Sequence, residues 1–263
     1  MIDVHAHLCF PDFDADRERI VAECISGMRA VVVSSARYDE GQRALMLAEG
    51  RPKLAVTLGY HPTEGGDGPD KIIDLIRSNR GRIAGVGEVG LDHHWEKDPA
   101  KRAAQADVFN RFIALADELG KPLVIHSWDA EQECFDMVKG FGGVAVFHCF
   151  SGPLALAQEI VKRGFYVSIS TQVLFSKDHR KLARDVPLES MLLETDSPFL
   201  SPYNYLKAKG EEGRLKQGFD PKRNYPWNIR LSAEKIAELK GVSASSVTER
   251  TAGNAASIFG IRS

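Results

Sequence analysis

At 263 residues, with 43% hydrophobic and 27% charged side chains, the chain is ordinary globular material, long enough for one large barrel or two small domains. Lys and Arg number 34 against 36 Asp and Glu, a formal charge of −2. That argues against a broad basic face gripping duplex nucleic acid, but not against a nucleic-acid substrate met at a metal centre. Cys9, Cys24, Cys134 and Cys149 show no Cys-x-x-Cys spacing, no basic-then-apolar leader opens the chain, and no apolar run reaches about 18 residues. Reduced thiols, a cytoplasmic location and no membrane span are the expectation.

Short aliphatic runs alternate with helical patterns along most of the sequence. The strands predicted are Ile2–His5, Ala30–Ser35, Leu54–Gly59, Ile83–Glu88, Leu123–His126, Val144–His148, Tyr166–Ile169 and Met191–Glu194. Their continuous apolar character is that of parallel strands covered on both faces. Ile20, Val21, Cys24, Ile25 and Met28 make a helical stripe within Asp16–Met28. Val108, Phe109, Phe112, Ile113, Ala116 and Leu119 make another within Pro99–Leu119. Gly27, Gly50, Gly81, Gly120, Gly140 and Gly164 each follow a helical stripe and precede a strand, where a left-handed glycine closes a helix. Such alternation builds parallel βαβ units, and eight of them predict a TIM (β/α)8 barrel with its active site at the carboxyl rim of the strands. An open doubly wound sheet is the other fold in play, without its phosphate-binding glycine fingerprint after the first strand. The segment 201–227 is long, polar and broken by Pro and Gly, and is expected to overhang the active end. Helices Leu231–Lys240 and Ser243–Phe259 follow, and one domain over 1–263 is predicted.

The chemistry-bearing residues cluster at strand ends. In Asp3-Val4-His5-Ala6-His7 the two imidazoles share a strand face. Of eight histidines, His5, His7, His61, His93, His94, His126 and His148 fall at or just after a predicted strand end. Glu88 ends the fourth strand, where an acid after an apolar run is costly unless paired or coordinated. Asp196 follows the eighth. Four imidazoles (His5, His7, His126, His148) and two carboxylates (Glu88, Asp196) suffice for two divalent ions if Glu88 bridges them. Nitrogen and oxygen donors without thiolate suit Zn or Mn, and Mg less comfortably. Such a pair activates water against a phosphoryl centre, with Asp196 and Glu88 as catalytic carboxylates and Asp196 able to take the water's proton.

Ordered along the whole chain, Asp3–His7, Gly59-Tyr60-His61-Pro62, Gly87–Asp92, Pro122–Ser127, His148–Gly152, Glu194–Pro198, Arg223–Pro226 and Glu249–Ala255 resemble the TatD family of metal-dependent deoxyribonucleases and related hydrolases. The resemblance implies one metal on His5, His7, Glu88 and Asp196, a second on Glu88, His126 and His148, His61 facing the substrate phosphate, and Glu194 beside the site. It also implies DNA as substrate, cleaved as a 3′-5′ exonuclease, with no stable protein partner predicted. His93 and His94 stand where the family commonly has an aromatic residue. Trp128 replaces a charged one and could stack on a nucleobase. Lys207, Lys209, Arg214, Lys216, Lys222 and Arg223 could guide a phosphate chain, or form a solvated charge run. Two other readings stay open. One is a two-metal hydrolase of a carboxyl ester or amide, on a small molecule or an aminoacyl-tRNA; the other is a catalytically silent binding protein.

Overall fold

The computed structural model describes residues 1–64 and 68–262. Eight parallel strands follow one another around a single sheet in chain order: β1 (Ile2–Ala6), β2 (Ala30–Ser35), β3 (Leu54–Leu58), β4 (Gly85–Gly90), β5 (Leu123–His126), β6 (Ala145–Phe147), β7 (Tyr166–Ile169) and β8 (Met191–Leu193). Between them run α1 (Arg17–Gly27), α2 (Tyr38–Ala48), α3 (Asp70–Ser78), α4 (Pro99–Leu119), α5 (Glu131–Val138), α6 (Leu154–Lys162) and α7 (Lys177–Asp185). After β8 come α8 (Tyr203–Ala208), α9 (Ile229–Lys240) and α10 (Ala244–Phe259). The ends meet just past β8. Ala6 bridges Ser197 in parallel, His7 N–H donates to Ser197 O at 2.8 Å, and Asp196 N–H donates to His5 O at 3.0 Å. Asp3, fully buried, accepts from Thr195 N at 3.0 Å and from its hydroxyl at 2.5 Å, tying the same seam. The expected (β/α)8 barrel is therefore present, and the open doubly wound sheet is not.

The strands show why the active end lies where it does. Ile2, Val4, Ala30, Val32, Val124, Val146 and Leu192 form an inner apolar layer with Ala252, Ala255 and Phe259 of α10, which plugs the barrel floor. Their neighbours, such as Val31, Val33, Ile125 and Phe147, pack outward under the helices. Strand side chains alternate between faces, so two residues on is the same face one storey up. There Val32 gives way to Ser34, Ala55 to Thr57, Val124 to His126, Val146 to His148, Tyr166 to Ser168 and Leu192 to Glu194, all buried. An apolar floor thus carries a polar storey.

Two strands depart from strict alternation, each at a candidate ligand. The register of β1 against β2 slips between Asp3 and Ala6, and that of β4 against β5 between Val86 and Val89. Val4 lies in the inner layer and Ala6 in the outer; Val86 and Val89 both lie in the outer. One extra residue re-aims a strand, and here it turns His5, His7 and Glu88 inward together. Glycine allows the crowding: a Cβ on Gly59 would stand 2.3 Å from Glu88 O, and one on Gly90 (φ +146°) 2.0 Å from His126 O.

Some expectations are corrected. β4 starts at Gly85, not Ile83. Gly50, Gly120 and Gly164 take the left-handed conformation, but Gly27, Gly81 and Gly140 do not. Gly27 is still inside α1, whose cap Met28 is extended, while α5 ends on right-handed Lys139.

Candidate metal centre

All six expected ligands meet at the carboxyl mouth of the barrel. His5 Nε2 lies 3.1 Å from His7 Nε2. The two oxygens of Glu88 face opposite halves of the cluster. Oε2 stands 3.3 Å from His5 Nε2 and 3.6 Å from His7 Nε2, while Oε1 stands 2.8 Å from His126 Nδ1 and 3.3 Å from His148 Nε2. Asp196 Oδ1 completes the first half, 3.5 Å from His7 Nε2 and 3.9 Å from His5 Nε2. Asp196 has positive φ (55°), a region Asp tolerates better than most residues, and its side chain keeps 17% of its surface open to the cleft.

Three further carboxylates stand behind the imidazoles. Glu40 Oε1 lies 3.6 Å from His7 Nδ1 and its Oε2 accepts from Ala36 N at 2.7 Å. Asp92 Oδ2 lies 2.9 Å from His126 Nε2, and Glu194 Oε1 3.1 Å from His148 Nδ1. Asp92 hydrogen-bonds one ring nitrogen of His126, while Glu40 and Glu194 stand as charge partners beside Nδ1 of His7 and His148; in each case the other nitrogen faces Glu88 or its neighbours, the pattern that orients metal-binding histidines. Glu194 was expected beside the site. It is fully buried, held by His148 and Ser168, and so has no surface for substrate. Sequence reasoning missed Glu40 and Asp92. Asp92 had a signal, standing four residues beyond the glycine-flanked Glu88; Glu40, inside the polar stretch Tyr38-Asp39-Glu40, had none.

The donor set fits divalent cations. Glu88 Oε2 is completely buried with no hydrogen-bond partner, facing two imidazole nitrogens. Acid-rich surroundings draw positive charge onto the rings. Burial opposes protonation of His7, yet Asp196 and Glu40 raise its pKa to about 10, and Glu194 with Glu88 raises His148 well above its usual value. Glu88 itself, despite burial, is held well below the carboxylate range, chiefly by the charge on His148. A site that recruits protons this way is a site for cations.

His61 sits at the edge, its Nε2 3.3 Å from His126 Nδ1 and 3.6 Å from Glu88 Oε1. Thr63 engages its Nδ1 from both the backbone N–H (3.2 Å) and the hydroxyl (2.7 Å), leaving Nε2 pointed inward. Burial, then the His126 charge, lowers its pKa to about 3, so it stays neutral. His93 and His94 lie outside the cluster: His93 is 3.8 Å from Glu133, and His94 stacks on Trp128. A cleft of about 620 Å³ opens over the cluster, lined by His7, His61, Glu88, His126, His148 and Asp196 and by aromatic residues at its rim. The 201–227 segment is not among its lining residues. Arg214 pairs with Glu211 and Glu234, Lys216 with Glu23, Arg223 with Asp16, and Lys207 and Lys209 lie over Tyr203 and Tyr205. The expected overhang is not found in the cleft lining, and of the two readings of these cations the guiding one gains no support from it.

A barrel with a histidine–carboxylate cluster at its mouth is the architecture of a metal-dependent hydrolase. A profile described as TatD related DNase matches residues 2–260, and the chain belongs to the TatD family. It is 35% identical to a protein of Methanocaldococcus jannaschii named as an uncharacterized metal-dependent hydrolase, over 94% of this chain and 92% of that one. It is 31% identical to the human Deoxyribonuclease TATDN3, over 98% and 94%. A crystal structure of the TatD homologue YJJV of Escherichia coli superposes with a TM-score of 0.84 at 24% identity, covering 100% of this chain and 98% of that one. No helix among the described residues is long and apolar enough to cross a membrane.

Proposed function

We propose that the cluster holds two divalent cations and hydrolyses phosphodiester bonds in DNA, removing nucleotides from the 3′ end. One cation would take His5, His7, Glu88 and Asp196, the other Glu88, His126 and His148. The observation that carries this reading is the division of Glu88, one oxygen toward each half of the imidazole set. DNA as substrate is supported by the family description and by the name of the human relative. Zn or Mn matches the nitrogen-rich donors better than Mg. Four unpaired cysteines support a cytoplasmic setting.

Divalent ions, when bound, supply Lewis-acid charge that acidifies water and neutralises developing negative charge on phosphorus-bound oxygen. The chain's own groups do the rest. Burial pushes the Asp196 pKa up, but His7 and the charges of His148 and His5 outweigh it and hold it below the usual carboxylate value. Asp196 is therefore ionised, faces the cleft, and accepts the proton of the attacking water. His61 donates from Nε2 to a phosphate oxygen. Glu40, Asp92 and Glu194 keep the imidazoles aimed.

Incubating the protein with end-labelled single-stranded DNA and added Mn, Zn or Mg tests the reading. Release of 3′-nucleotides is expected, lost by more than about a hundredfold in Asp196→Asn. No release with any of the three metals overturns the nuclease assignment. Hydrolysis of a carboxyl ester is the second reading, favoured by a cleft lined by no Lys or Arg among the described residues. A nitrophenyl carboxylate compared with a nitrophenyl phosphodiester separates the two.

A further inference from the structure

The cleft rim carries exposed aromatic surface that packing does not explain. Trp95, just past β4, is 68% exposed, Trp128, just past β5, is 42% exposed, and Phe199 is 44% exposed. All three line the cleft over the metal cluster. The two indoles are held in place. Trp128 stacks on His94 with centroids 3.9 Å apart and planes 8° apart, and His94 Nδ1 is 3.0 Å from Asp129 Oδ2. Trp95 stands across Trp128 at 84°. The backbone N–H of Trp95 donates at 2.7 Å to Asp92 Oδ1, while the other oxygen of Asp92 holds His126. His93 N–H donates to Trp128 O at 2.9 Å, joining the two loops. One carboxylate therefore fixes both the main chain that carries Trp95 and a proposed ligand.

The same cleft has no basic side chain along its walls to meet a phosphate chain: among the described residues its lining contains no Lys or Arg, but does contain Glu64 and Glu131. A polynucleotide cannot be gripped there by charge neutralisation along its backbone. We propose that Trp95 and Trp128 form a stacking corner for an unpaired nucleobase adjoining the scissile phosphate, so that the substrate is a single-stranded end held by its base, by His61 and by the metal centre. This rests on the nuclease reading and names its substrate. Bases stack on aromatic side chains in a sequence-tolerant way, which suits an enzyme indifferent to sequence. A base paired within a duplex has no free face to offer.

Three measurements on the metal-loaded protein decide it. First, Trp95→Ala with Trp128→Ala is expected to lower kcat/KM on a short single-stranded oligonucleotide by about tenfold or more, with Trp128→Phe retaining most of it. Replacing the terminal base by an abasic site should reduce the wild-type rate to that of the double variant and leave the double variant unchanged. Second, the slope of log KM against log salt should correspond to about one released counterion or fewer. Third, oligo-dT should quench the indole fluorescence of Asp196→Asn, and Trp95→Phe with Trp128→Phe should remove the quenching. A steep salt slope, equal rates on intact and abasic strands, or an unaltered double variant overturns the proposal. The quenching arm needs no turnover. Absence of hydrolysis with quenching intact defeats the nuclease reading alone, and absence of quenching defeats the stacking corner.

Discussion

At the scale of single residues, the least legible group is Glu40. Nothing in Tyr38-Asp39-Glu40 marks it, yet it is fully buried, and its carboxylate spans the Ala36 amide and the His7 ring. Loss of such a partner typically costs 10–100-fold in metal affinity or activity. Glu40→Gln should weaken metal binding by about that factor while leaving the fold intact; unchanged affinity by isothermal titration would remove Glu40 from the site. The six proposed ligands were legible because each stands in or just after an apolar run, a position where an unpaired buried charge is prohibitive. Their supporting acids were not, since a helix or loop acid reads as solvated until the fold turns it inward. His179 illustrates the same limit. It ends no strand, yet it is buried with Nδ1 2.9 Å from Ser176 Oγ and Nε2 3.2 Å from Ser151 Oγ. Burial, opposed by Asp178 and Glu194, lowers its pKa from the ordinary 6.5. The unfolded chain therefore takes up this proton first on acidification. The stability His179 contributes is complete above about pH 6.5 and is lost as pH falls below it. Denaturant titrations at about pH 7.5 and about pH 5.5 should show the stability gap between wild type and His179→Asn shrinking at the lower pH. A gap of constant size would refute it.

Among elements, strand order and number follow from the alternation of aliphatic runs with helical stripes, and β2, β5, β7 and α4 match their sequence-derived bounds. What alternation could not reveal is the slip in β1 and β4, because a period-two pattern read along one strand contains no information about its neighbour's register. The slip is nevertheless what brings His5 and Glu88 to one face. The 201–227 segment shows the opposite limit. Its basic residues suggested a path for phosphate, but Lys207, Lys209 and Arg214 have partners close by in sequence, and Lys216 and Arg223 reach back to Glu23 and Asp16. Arg223 reaches Asp16 and the Asp12 carbonyl, donates to the Tyr225 hydroxyl at 3.0 Å, and lies 4.8 Å over the Phe13 ring. Beside it, Asn224 is fully buried and donates to Thr195 O at 2.9 Å, next to Asp196. The segment is thus a strap that fastens the loop bearing Asp196 to the start of the chain. Arg223→Ala removes a largely buried charge-assisted cluster and should destabilise by about 2–4 kcal/mol, with faster proteolysis between residues 201 and 223. Arg223→Lys should recover little, since an ammonium cannot reproduce the fork. If both variants melt with the wild type, the strap contributes nothing.

For the molecule as a whole, the division between an apolar floor and an ionisable storey sets where stability and chemistry reside. Below, Phe259 of α10 and the inner valines close the barrel with packing alone. Above, Glu88, Asp92, Glu194 and four imidazoles occupy a buried layer that a structural core would fill with hydrocarbon. Such a layer is stable only while its charges are matched, and matching by cations links metal binding to folding. Saturation at about a hundred times Kd contributes about 2.7 kcal/mol, which for a chain of this size raises Tm by roughly 5–10 °C. Chelation should lower the melting temperature by that interval, and Mn or Zn should restore it. The two halves of the centre are separable by mutation. His5→Ala should weaken one cation and spare most of the shift. Glu88→Ala removes the group common to both halves, so metal content measured on the purified protein should fall well below one ion per chain and the melting temperature should stop responding to chelator. Full occupancy in Glu88→Ala would show that the two oxygens of this carboxylate do not join two cation sites, and the proposed mechanism would lose its bridge.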